Sequence, residues 1–109
     1  MNHLIYRHTG RDYYYRTWHK PESSMFIFLH SGSGSIVTKE KSYPMNRGTL
    51  CFIGANKYHY TFPDDTERYV RSKLFIPSGE LSKLLQILSK TPRFSKSFHD
   101  QQFSIGTLE

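Results

Sequence analysis

Between Gly32 and His59 the chain runs Gly-Ser-Gly-Ser-Ile-Val-Thr-Lys, a polar turn, then Tyr-Pro-Met-Asn-Arg-Gly-Thr-Leu-Cys-Phe-Ile-Gly-Ala-Asn-Lys-Tyr-His. Two short runs of β-formers are punctuated by glycines and end in a lone histidine. Gly32, Gly34 and Gly48 stand where tight strand corners need positive φ or close backbone approach. Asn56 lies in a further corner, and asparagine tolerates left-handed geometry best after glycine. Small β-barrels are built on this rhythm, so the question becomes what such a barrel holds.

The rest of the chain fits the same expectation. With 109 residues it makes one domain, long enough to bury roughly 65% of its unfolded surface. Eight Tyr and eight Phe raise the aromatic share to 16%, which favours pleated sheets over a helical bundle. Strands are predicted over 3–8, 13–19, 25–30, 35–39, 43–45, 49–53, 58–62 and 69–76, with turn signals at Pro21 and at Pro63-Asp-Asp-Thr66. The run 25–30 is continuously apolar, as a buried strand is. In the last strand Val70, Ser72, Leu74 and Ile76 share one face, which is expected to turn inward; Tyr69, Arg71, Lys73 and Phe75 share the other.

At Ser78 the period changes from two to 3.6. Ser78 is a helix cap, Glu80 suits the first turn, and Leu81, Leu84, Leu85 and Leu88 form an i, i+3, i+4, i+7 stripe that Thr91-Pro92 ends. That stripe suits either packing on the barrel or a subunit interface. The tail carries Phe94, Phe98 and Phe103 without a clean period, and one more strand is expected there. The fold class is therefore mostly β, a small double-stranded barrel of the jelly-roll kind followed by one C-terminal helix.

Composition narrows the function classes. Cys51 is the single cysteine, so no intrachain disulfide forms and nothing points to an oxidising compartment. The N-terminus lacks a signal-peptide run, and no stretch approaches the about 18 apolar residues of a membrane span; a cytoplasmic protein with no membrane partner is expected. Net charge is +6, but the 15 Lys and Arg are scattered, as on a solvated basic surface. A barrel that binds single-stranded nucleic acid through exposed aromatics on a basic face is an alternative.

Six histidines, His3, His8, His19, His30, His59 and His99, form no metal-ligand spacing, and Cys51 lies in no nucleophile motif. Gly32-Ser-Gly-Ser lacks the lysine and further glycine of a phosphate cradle. Neither catalysis nor a metal or other cofactor is expected. Strand parity suggests a pocket instead. An inward His19 brings Thr17 and Tyr15 with it, an inward His59 brings Thr61, and Ser72 faces them from the last strand. Tyr15, Thr17, His19, His59, Thr61 and Ser72 are the candidate ligand-binding residues for a small polar molecule such as a sugar.

Three pieces in order, His19 through Gly34, the run 48–59 ending in His59, and the run 69–77, resemble the N-terminal cupin domain of AraC-type bacterial transcriptional regulators. In metal-binding cupins the first motif supplies two histidines and a glutamate and the second one histidine. Here His19 and His59 match, Met25 stands at the glutamate position, and Pro21 removes the other first-motif histidine. These departures favour a sensor barrel over a metal-dependent isomerase or dioxygenase, which is the alternative reading. The resemblance implies a barrel with an N-terminal arm over 1–77, a helix over 78–91 and a tail over 92–109. It also implies later helices that pair two protomers and a helix-turn-helix DNA-binding domain, both outside this chain.

Overall fold

The computed structural model describes 4–9 as backbone, Trp18, 22–76, five positions between 80 and 90, and 103–107. Among the described residues there are eight strands: β1 Leu4–Thr9, β2 Ser24–Ser31, β3 Gly34–Thr38, β4 Ser42–Met45, β5 Thr49–Ile53, β6 His59–Pro63, β7 Val70–Ile76 and β8 Phe103–Thr107. They form two antiparallel sheets, a five-stranded one ordered β1-β7-β2-β5-β8 and a three-stranded one ordered β4-β3-β6. The strand expected over 13–19 and the helix expected over 78–91 fall largely outside the described residues, and the latter contributes no element to the described fold. The extra strand expected in the tail is β8, paired to β5.

The corners are built as their residues require. Gly32 and Gly48 take φ of 86° and 88°, and Asn56 takes 63°. Gly34 has an ordinary φ but no room: a Cβ there would lie 2.5 Å from the Phe62 carbonyl oxygen and 2.9 Å from the Pro63 Cα, across the β3–β6 ladder. The turn after β6 becomes a 3-10 turn, Thr66–Arg68, capped by the Asp65 carboxylate accepting from the Glu67 amide. Ser33 donates to Asp64 and Ser31 to the Arg68 carbonyl, so this turn is tied to the loop after β2.

The large sheet buries apolar side chains on both faces. Toward the small sheet it presents Met25, Ile27 and Leu29 from β2 and Cys51 and Ile53 from β5, which close on Ile36 and Met45. On its other face Phe26, Leu50, Phe52 and Ile76 form a second cluster, with Phe28 and Leu74 against it. The continuous apolar run of β2 serves both clusters at once.

Two-sided burial inverts the expected polarity of β7. Register pairs Leu29 with Arg71, Ile27 with Lys73 and Met25 with Phe75, so Tyr69, Arg71, Lys73 and Phe75 face the small sheet. Phe28 pairs with Ser72 and Phe26 with Leu74, so Ser72, Leu74 and Ile76 belong to the opposite face. The apolar face of β7, expected to turn toward the small sheet, packs instead into the second cluster.

Candidate functional site

The space between the sheets is lined from both sides by polar side chains on adjacent strands. From the small sheet, β6 sends His59, Thr61 and Pro63 inward and Tyr60 and Phe62 outward. From the large sheet, β7 sends in Arg71 and Lys73, with 1% and 4% of their surface exposed. Arg71 Nη1 donates to Thr61 Oγ1 at 2.9 Å, which joins the two sheets by a charge-assisted hydrogen bond. The guanidinium also stands 5.9 Å from the Tyr69 ring centroid.

Two cations on one buried face shape each other's chemistry. Burial, and then repulsion from Arg71, bring the Lys73 ammonium down to about 7, so at neutral pH this amine is divided between its charged and neutral forms. Arginine does not yield its proton and remains the fixed charge. His59 is likewise buried. Its Nδ1 lies 3.1 Å from the Lys57 carbonyl, which can only accept, so Nδ1 carries the proton. Its Nε2 is also buried. The site thus offers a guanidinium, a titratable amine, a hydroxyl and an imidazole in an apolar surround, a set suited to holding a polar or anionic group.

Of the six residues expected to bind ligand, His59 and Thr61 line this interior together. Ser72 does not join them: its hydroxyl is 2.7 Å from His30 Nε2 on the opposite face of the large sheet. Tyr15, Thr17 and His19 lie outside the described residues. Sequence alternation puts Arg71 and Lys73 on the outer face of β7, and the structure turns them inward. The signal was available in β2, whose unbroken apolar run requires both faces of its neighbours to be covered.

Among the described residues, other centres of chemistry are weak. Burial pushes the Cys51 thiol up, which makes it inert as a nucleophile. Met25, at the position where metal-binding cupins carry glutamate, is fully buried between Ile53 and Phe75. Among the described residues no three His, Cys, Asp or Glu side chains converge, so these residues do not fit a metal ion. A cleft of about 160 Å³ lined by Glu22, Ser23, Ser24, Ala55 and Ile76 opens at the end of β2 and contains no residue of the inward row. Among the described residues no helix is long and apolar enough to cross a membrane.

No protein-family model matches the chain, and no curated protein matches it in sequence. Solved structures do resemble it in fold. An apo structure of ToxT from Vibrio cholerae superposes with a TM-score of 0.69 at 14% identity, covering 100% of this chain and 43% of ToxT. Wild-type ToxT with a bound unsaturated fatty acid gives 0.61 at 13% identity, covering 99% of this chain and 41% of that one. A cupin-2 domain protein from Shewanella frigidimarina gives 0.51 at 12% identity over 69% of this chain and 68% of that one. The chain therefore has the cupin-type fold these proteins share, and it spans less than half the length of ToxT.

Proposed function

We propose that this chain is the effector-sensing barrel of an AraC-type transcriptional regulator. It binds a small organic molecule with a polar or anionic head between its two sheets, without a metal and without catalysis. The observation that carries this reading is the inward row of His59, Thr61, Arg71 and Lys73 in a fold shared with ToxT, a protein crystallised with an unsaturated fatty acid and with a naphthalenyl butenoic acid. Buried hydrogen-bonding and charged groups at the centre of an apolar barrel are what orient a ligand head group. The effector is a small carboxylic acid or a sugar.

A sensor must convert occupancy into a different arrangement, which requires unequal affinity for two states. Strand β7 is well placed for this. Its inward residues Arg71 and Lys73 register with His8 and Tyr6 of β1, so a head group held on β7 acts on the strand that carries the N-terminal arm. The arm at 1–12 and the segment 78–90 are the routes by which the state passes to a DNA-binding domain in the longer protein, which acts as a homodimer.

The test is a thermal-shift screen of carboxylic acids, including fatty acids, and of sugars, on the wild type and on His59→Ala and Thr61→Val. A ligand that stabilises the wild type and loses most of that effect in either variant supports the interior site; stabilisation untouched by both overturns it. A metal-dependent cupin enzyme is the second reading, favoured by the cupin-2 likeness. Stoichiometric transition metal in the purified protein decides for it.

A further inference from the structure

A separate recognition feature lies outside the barrel, at the rim of the small sheet. Trp18 and Tyr58 are 42% and 43% exposed, and their rings stand at 88° to each other with centroids 6.5 Å apart. They form the two walls of a corner. The exposed Lys39 places its ammonium in it, 4.3 Å from the Trp18 centroid and 5.3 Å from that of Tyr58.

The corner is held by the sheet. Thr38 pairs with His59 at the end of the β3–β6 ladder, so Lys39 and Tyr58 are the next residues on the two strands. Tyr60, half-buried on the outward face of β6, braces Trp18 edge-on at 4.7 Å and 86°. Nearby Lys57 is committed to Glu40 at 2.9 Å, and the carboxylate of Glu40 is held below its ordinary range chiefly by that bond.

We propose that Trp18 and Tyr58 form a binding site for a quaternary or N-methylated ammonium group, with Lys39 as its intramolecular occupant. Both rings lie within the about 6 Å reach of a cation–π contact, and two faces at right angles surround a cation that one face only touches. A primary ammonium is strongly hydrated and surrenders water to sit there, whereas a methylated cation carries apolar methyls that the rings prefer. Lys39 is exposed and on a flexible stem, so it yields the corner readily. This site is independent of the effector reading, since none of its residues lines the barrel interior.

Trp18 is the chain's single tryptophan, so its emission reports this corner alone. The experiment titrates the 109-residue protein with tetramethylammonium chloride against sodium chloride at matched ionic strength. A saturable change in Trp18 emission is expected with tetramethylammonium and none with sodium. Removing the competitor in Lys39→Ala tightens binding about two- to fivefold, and Tyr58→Ala, which removes an exposed wall, abolishes saturation. An equal response to both salts, a Lys39→Ala variant that binds no tighter, or a Tyr58→Ala variant that binds as well as wild type each overturns the proposal.

Discussion

Raising the pH from 7 to 8.5 should stabilise this protein, and Lys73 is the reason. In the folded chain the ammonium is brought from 10.5 down to about 7 by burial and by Arg71, while in the unfolded chain it titrates normally. Between these values the unfolded state binds the extra proton, so the free energy of unfolding rises with pH across that window and levels off below 7. The penalty is about 4 kcal/mol at pH 7 and about 2.5–3 kcal/mol at pH 8.5, a recovery of about 1.5 kcal/mol. For a domain of this size that raises Tm by about 6–10 °C. Cys51 acts in the opposite sense: its buried thiol is raised, so the stability it contributes is lost only as pH climbs past its ordinary 9.0. Confining the comparison to pH 7–8.5 keeps clear of the cysteine. Urea unfolding followed by circular dichroism at both pH values, on wild type and Lys73→Met, is the assay. The methionine is an unbranched side chain of similar volume without the charge, so the slope should flatten. A wild type no more stable at pH 8.5 than at 7, or a Lys73→Met variant with the same slope, refutes the placement of this amine inside the barrel.

Four further substitutions probe the packing of the two sheets. Gly34→Ala should destabilise by about 1–3 kcal/mol, because its Cβ meets backbone of β6 that no rotamer change relieves, despite an entropic gain of about 0.4–1 kcal/mol; thermal unfolding beside a Ser35→Ala control measures it. Thr61→Val removes the acceptor of the buried Arg71 Nη1 and should cost about 1–3 kcal/mol in urea unfolding. Phe52→Ala empties a fully buried site in the second cluster and should cost about 3–5 kcal/mol, whereas Phe62→Ala, on the exposed outward face, should stay within about 1 kcal/mol.

Much of the β architecture was legible because it is written in local chemistry. Gly32, Gly48 and Asn56 advertised left-handed corners, and Gly34 a close approach, from residue type alone. Alternation on β6 likewise puts His59 and Thr61 on one face, and both are buried. The inner face of β7 was not legible by the same rule. Alternation says which residues share a face but not which face meets the other sheet, and with apolar clusters on both sides of the large sheet Leu74 and Ile76 carried no direction. Arg71 and Lys73 were the clue, since charged residues opposite Leu29 and Ile27 must be accommodated by a polar interior.

Strand β5 has all five residues buried and sits between β2 and β8, and its register partner for Ile53 is Phe103, 50 positions later. During synthesis β2 and β5 are complete long before β8 exists. Until then a strand reading Thr-Leu-Cys-Phe-Ile presents an unpaired ladder of backbone groups, the kind of edge that templates association between chains. The nascent barrel is therefore most prone to aggregation in the interval before its eighth strand emerges. A chain cut short of Phe103 would remain in that interval permanently.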